Sequence, residues 1–340
     1  MLKTSFVNLF LRALTLASKF VLLLFIARYL SPEEMGVWGL MNVTVALSLY
    51  FLGMDFYVFN TREILAQDQA DRMPLIRDQF VFHGLAYVVI LPILTGVFWL
   101  ELIAWKYIGW FYFLLILEHL SQECSRLLIT LSRPAMANLV LFLRSGAWIY
   151  VVVATTYLKA DLRGLPAIWM GWGIGVVFSV VLTAWALRRM PWENSNRISI
   201  NWAWMRKGVK VSLPFFFATM SFVAIQYIDR YFLQHFWGEA VVGIYTFFAS
   251  IANTISVFIF TGVIMILYPK IISAYQQGDL IRYKTLMRKM SLGIIGGIIV
   301  LSALAVLLID PVLILIDKSV YVGHRQVFFI MLGTTSLLSL

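Results

Sequence analysis

Cysteine is nearly missing from this sequence. The one present, Cys124, excludes an internal disulfide and any cysteine-built metal cluster, and it reads as a small packing residue within a helix. Charge is scarce too: 13% of the 340 residues are Asp, Glu, Lys or Arg, where soluble domains carry about 25%. There is no Gly-x-x-x-x-Gly-Lys-Ser/Thr loop, which removes the nucleotide-driven pumps. His83, His119, His235 and His324 are scattered, with no His-Glu-x-x-His pairing, so neither a metal nor another cofactor is expected. No polar stretch exceeds about 25 residues, too short for a soluble catalytic domain. No catalytic residue is assigned, and the chain reads as a non-enzyme.

What fills the chain is apolar: 61% hydrophobic residues and a mean hydropathy of +0.86. The runs are long and continuous rather than alternating, which excludes a transmembrane β-barrel and gives an all-α polytopic membrane protein. Spanning helices are expected at 8–30, 35–60, 79–100, 107–131, 138–158, 166–187, 211–235, 241–268 and 287–309. A tenth starts after about 311 or 326. Ser31-Pro32-Glu33-Glu34 fits a helix start, with Ser as cap, Pro first and acids in the first turn. Pro166 and Pro214 are also expected near helix starts. The N-terminal run is too long for the apolar core of a cleavable signal peptide.

The net charge of +10 would suggest nucleic acid in a soluble protein. Here the cations sort by loop. One set of loops, with Lys3, holds 16 basic residues, including Arg62, Arg72, Arg77, Arg133, Arg206, Lys207, Lys210 and Lys284. The alternate loops hold five: Arg28, Lys106, Lys159, Arg163 and Lys318. The rich set is expected in the cytoplasm, with the N-terminus inside, membrane lipids as neighbours and no nucleic-acid partner.

The longest polar break contains Arg188, Arg189, Pro191, Asn194, Ser195, Asn196 and Arg197. It divides the chain into an N-terminal six-helix lobe (1–190), a cytoplasmic linker (191–210) and a C-terminal lobe (211–340). Arg28-Tyr29 matches Arg230-Tyr231, and Gly36-Val37-Trp38 matches Gly243-Ile244-Tyr245, at offsets of 202 and 207. Two pseudo-symmetric lobes in parallel orientation are the expected consequence. The apolar run 327–340 reaches the last residue, so the second lobe is expected to be incomplete.

Several polar residues fall inside apolar runs. Asn8, Arg12, Thr15 and Lys19 lie at steps of four, three and four on one face of the first helix. A cation near mid-bilayer costs about 3 kcal/mol or more, so this face is expected to line a cavity, with Arg12 near the cytoplasmic rim and Lys19 deeper. In 107–131, Glu118, Gln122 and Arg126 share a face and His119 and Glu123 the adjacent one; Glu123 and Arg126, at i,i+3, can pair. Such a seam either packs helices together or lines a substrate or proton path. Asp229 beside Arg230 suggests an interfacial ion pair. Asp55 is a lone acid whose nearest expected partner is Lys19 or Arg12. Arg144 and Asn138 are expected as anchors at the cytoplasmic end of the fifth helix.

Ile26-Ala-Arg-Tyr-Leu-Ser-Pro-Glu-Glu-Met-Gly-Val-Trp-Gly-Leu, the later Asp229-Arg-Tyr-Phe-Leu and Gly243-Ile-Tyr resemble the polysaccharide transporter family. These are the Wzx-type flippases for O-antigen and capsule repeat units, within the multidrug/oligosaccharidyl-lipid/polysaccharide superfamily. Members usually have 12 to 14 helices, and the ten expected here depart from that. The resemblance implies an undecaprenyl-pyrophosphate-linked oligosaccharide as cargo, crossing the inner membrane by alternating access for surface-polysaccharide synthesis. Polysaccharide polymerase machinery is an implied partner. It casts Arg12 and Lys19, with Asn8 and Thr15, as cavity residues for the pyrophosphate. Asp55, Glu118, Glu123, Arg126, Asp229 and Arg230 become charge partners or ion-coupling groups. Alternatives are a flippase for lipid II or teichoic-acid precursors, an ion-coupled small-molecule exporter, and a membrane-embedded glycosyltransferase or polymerase.

Overall fold

The computed structural model describes residues 2–68, 71–188, 190, 192 and 199–339, with side chains from Phe10 onward. Arg189, Pro191, Asn194, Ser195, Asn196 and Arg197 of the polar break lie outside the described residues, as do the side chains of Lys3 and Asn8. Among the described residues the chain is 90% helical, with twelve helices and no strand.

The helices are α1 (Leu2–Tyr29), α2 (Pro32–Gly53), α3 (Phe56–Ala66), α4 (Arg72–Trp99), α5 (Ile108–Thr130), α6 (Pro134–Leu158), α7 (Leu165–Leu187), α8 (Trp202–Trp237), α9 (Glu239–Gln276), α10 (Leu280–Ile316), α11 (Ser319–Gly323) and α12 (Arg325–Leu338). Eight are long and apolar enough to cross a membrane: α1 from Phe10, α2, α4, α6, α7, α8, α9 and α10. The protein is therefore a multi-pass α-helical membrane protein. The expected segment 107–131 is α5. Its 23 residues would reach about 34 Å, enough to span, but its polar face sets it apart from the other eight. The expected tenth segment is the 14-residue α12.

Local chemistry explains the helix ends. At the start of α2 the Glu34 amide donates to Ser31 Oγ at 3.2 Å, while the Ser31 amide donates to Glu34 Oε2 at 3.0 Å. This reciprocal capping box satisfies two amides that the first turn leaves unpaired. Ser31→Ala is expected to lower stability by about 1 kcal/mol, read as a drop in thermal midpoint of the purified protein; an unmoved midpoint would show that the box contributes nothing. Pro166 likewise falls in the first turn of α7.

Two helices depart from expectation. The segment 35–60 is broken at Met54 and Asp55, both left-handed (φ 46° and 49°), so α2 ends and α3 starts in a new direction. Asp tolerates this conformation better than most residues, and Gly53 just before it is a weak helix former. Pro214 lies inside α8 rather than at its start, because the helix begins at Trp202. That early start is held by packing. Trp204 and Met205 are buried against Phe56, Phe59 and Phe82, with Trp204 edge-on to Phe56 at 5.4 Å. The Asn201 amide donates to Asp78 Oδ2 at 2.9 Å.

Contacts divide the chain into two compact units, residues 1–25 with 37–238, and residues 26–36 with 239–340. The break expected at 191–210 falls inside the first, since α8 packs on α3 and α4. In the second unit, the starts of α2 and α9 cross at two glycines. A Cβ on Gly36 would sit 1.9 Å from the Glu239 carbonyl oxygen, and a Cβ on Gly243 1.9 Å from the Pro32 carbonyl oxygen. The crossing is reciprocal, and the two glycines are those aligned by the offset of 207. Arg28 Nη1 donates to the Leu315 carbonyl at 2.8 Å, and Lys318 Nζ to that of Leu30, covering carbonyls left open at helix ends. Phe247, Phe248, Tyr321 and Phe328 form the buried aromatic centre of this unit.

Candidate functional site

The polar chemistry of the first unit gathers on α5, whose inward residues point two ways. Toward α4 lies Glu123, 1% exposed and the hub of a network. Arg126 Nη1 donates to Glu123 Oε1 at 2.5 Å, the i,i+3 pair that the spacing suggests. Gln79 Nε2 donates to Glu123 Oε2 at 2.8 Å, and Asn60 Nδ2 donates in turn to Gln79 Oε1. Arg126 also stacks over the Tyr57 ring at 3.9 Å, a cation–π contact that keeps the guanidinium in place.

Beside Glu123 two histidines meet. His83 Nε2 lies 3.4 Å from Glu123 Oε2, and the His83 and His119 rings are edge-to-face at 4.7 Å. The sequence leaves the histidines scattered; the fold brings these two and Glu123 together. His83, His119 and Glu123 each offer a ligand atom, all within 4.8 Å of one another, and all three residues are buried. Both ring nitrogens of His83 and Nε2 of His119 are buried without a hydrogen-bond partner, while His119 Nδ1 is 2.8 Å from the Tyr87 hydroxyl. A cavity of about 70 Å³ adjoins them, lined by Phe80, His83, Gly84, Tyr87, His119, Leu120 and Glu123. The α2–α3 break approaches the same place: a Cβ on Gly53 would lie 3.6 Å from His119 Nε2 and 3.9 Å from Glu123 Oε1.

Toward α6 and α7 lies Glu118, one turn and more from Glu123. Trp172 Nε1 donates to Glu118 Oε1 at 3.0 Å, and Arg144 Nε lies 3.3 Å from Glu118 Oε2. Arg144, expected as a terminal anchor, is instead an internal ion-pair partner. The reason is local. A π turn at Leu143–Ala147 widens α6 by one residue per turn at Arg144 and turns its side chain inward.

Helix α1 lies along α6, held by the Tyr150 hydroxyl donating to the Leu14 carbonyl at 2.9 Å. Arg12 is exposed and its Nε donates to Asn138 Oδ1 at 3.4 Å. Thr15 is buried and its hydroxyl donates to the Leu11 carbonyl on its own helix, so its polar group is internally satisfied. Lys19 keeps accessible surface but stands deep among protein atoms, takes part in none of the ion pairs among the described residues, and has Arg144 and Glu118 as its principal charged neighbours.

The other expected site residues are also placed. Asp55 is buried at the α2–α3 break with Oδ2 unpartnered; neither Lys19 nor Arg12 pairs with it among the described ion pairs. Asp229 and Arg230 form the expected pair at 3.3 Å, with Arg230 Nη1 also donating to the Gln226 carbonyl. Tyr231, next in sequence, shares a hydrogen bond of 2.8 Å with Thr44 of α2.

The chain matches no family model, no curated protein and no solved structure.

Proposed function

We propose that the protein is a translocator of an anionic, lipid-linked oligosaccharide of the polyprenyl-pyrophosphate class, related to the Wzx-type flippases. The observation that carries this reading is Lys19. It stands at the middle of the 20-residue span Phe10–Tyr29, about 14 Å from either end, which is farther than a lysine can snorkel. Its side chain keeps accessible surface while standing deep among protein atoms, and beside it Arg144 is matched, among the described residues, by one acid, Glu118. The local balance is one cation in excess. An unpaired mid-membrane ammonium facing lipid would be costly, whereas facing a polar cleft it supplies attraction for a passing anion. A pyrophosphate suits it, since charge-assisted hydrogen bonds strengthen where water is scarce. A cationic-drug exporter would instead present an excess of acid there.

The lipid tail stays in the bilayer while the sugar head crosses through the cleft. Transport proceeds by alternating access, in a bacterial inner membrane with the basic-rich loops cytoplasmic. Arg12, at the edge of the span and bonded to Asn138, acts as a rim anchor.

Export of surface polysaccharide in a deletion strain complemented with variants tests this. Lys19→Ala removes one charge-assisted contact, worth about 1.5–3 kcal/mol, and is expected to lower export about 10- to 100-fold. Arg12→Ala is expected to leave it within about twofold. Full export by Lys19→Ala, at normal protein level, would refute the assignment.

A further inference from the structure

We infer that His83, His119 and Glu123 form a binding site for a divalent transition metal of the zinc class, separate from the proposed cargo cleft. Two imidazoles and a carboxylate are a donor set that zinc takes, with a fourth position left open. Bonds of about 2.1 Å in tetrahedral geometry put ligand atoms about 3.4 Å apart. The His83 Nε2 to Glu123 Oε2 separation is 3.4 Å, and the three residues' ligand atoms all lie within 4.8 Å of one another. Small side-chain rotations close the remaining difference.

Three further observations favour a metal over plain packing. First, the ring nitrogens are buried and poorly satisfied: His83 Nδ1 and His119 Nε2 have no hydrogen-bond partner, and His83 Nε2 meets Glu123 Oε2 only at 3.4 Å without hydrogen-bond geometry. A buried polar atom without a hydrogen bond costs about 1–3 kcal/mol, and ligation by His119 Nε2 removes one such atom while His83 Nε2 gains a full partner. Second, the outer contacts are those that orient metal ligands. The Tyr87 hydroxyl at His119 Nδ1 directs the other nitrogen inward. Gln79 donates to Glu123 Oε2 on one lone pair and leaves the other open, while Arg126 takes Oε1. Third, the adjoining cavity of about 70 Å³ gives room for a water or small anion at the open position. Arg126 lowers the attraction of the site for a dication, and by holding Oε1 it leaves Oε2 as the ligand atom turned toward His83.

The site is tested on purified, tag-free protein in detergent, stripped with chelator and titrated with Co²⁺ as a spectroscopic stand-in for Zn²⁺. One Co²⁺ per chain is expected, with the intense visible absorption of four-coordinate cobalt, displaced by one equivalent of Zn²⁺. Affinity is expected to fall by at least about 100-fold in His83→Ala and His119→Ala. In Tyr87→Phe, which keeps the ring and packing, a fall of about 10- to 100-fold is expected. Should the histidine variants fail to fold, the unaltered protein still decides the matter. Zn²⁺ is expected to raise its thermal midpoint, because a ligand of the folded state stabilises it. Absence of four-coordinate cobalt spectra together with an unmoved midpoint would overturn the assignment. So would cobalt binding that the three substitutions leave unchanged.

Discussion

Glu123→Ala is expected to lower stability by about 3 kcal/mol, among the largest effects of any single side-chain truncation in the first unit. The carboxylate is 1% exposed and receives Arg126 at 2.5 Å and Gln79 at 2.8 Å. Removing it strands both donors. Breaking a buried ion pair by deleting one partner costs about 3–5 kcal/mol, because the survivor is left buried and uncompensated. The lower end applies because the Arg126 side chain keeps 24% of its exposure and the Tyr57 ring beneath it. The conservative Glu123→Gln retains one acceptor and should lose less. Removing both charges together, Glu123→Ala with Arg126→Ala, is expected to cost less than the sum of the single losses. Thermal and denaturant unfolding of the purified variants measure all of these. A Glu123→Ala protein within about 0.5 kcal/mol of wild type would show that the network is ornamental to the fold.

Gly36→Ala and Gly243→Ala are expected to have effects of similar size by another route. Either Cβ would meet a carbonyl oxygen at 1.9 Å, and that oxygen belongs to a helix backbone which cannot rotate away. The start of α2 must then move from α9 by more than 1 Å, and overpacking of this kind costs about 1–3 kcal/mol or more. Close helix approach at small residues is how apolar helices gain packing energy where the hydrophobic effect gives none. The two contacts belong to one crossing, so the double variant should be less destabilised than the sum: the first displacement makes room for the second methyl. Gly296→Ala is the control. It lies in the interior of α10 with nothing within 4 Å, and a helix-interior alanine there should leave stability unchanged or raise it by about 0.5–1 kcal/mol. Equal effects at all three glycines would contradict the crossing.

Much of this could be read from the residues because it is local. Apolar run length gives the spans. Ser31 and Glu34 three residues apart give the capping box, and Glu123 and Arg126 three apart give the ion pair. Each depends on helix periodicity alone. What the sequence hides is register between helices. Nothing in the spacing of His83 and His119 says that α4 and α5 bring them to ring contact, although His119 and Glu123 at i,i+4 were a signal from one side. Arg144 looks like a terminal anchor in the sequence because its inward turn depends on a π turn, which carries no composition signature. The break at Met54 and Asp55 has no sequence signal because neither residue is a usual helix breaker, and Pro214 does not mark a helix start because tertiary packing of Trp204 and Met205 extends α8 ahead of it. Periodicity puts Thr15 between Arg12 and Lys19, but which way its hydroxyl turns is a rotamer choice, and it donates to its own helix.

The reading as a translocator meets its most direct test in liposomes that hold the purified protein and a polyprenyl-pyrophosphate-linked oligosaccharide in the inner leaflet. The measurement is the fraction of sugar reached by a membrane-impermeant lectin over time. The account predicts a rise well above protein-free liposomes, and a rate about 10- to 100-fold lower with Lys19→Ala. A wild-type rate equal to that of protein-free liposomes would contradict it.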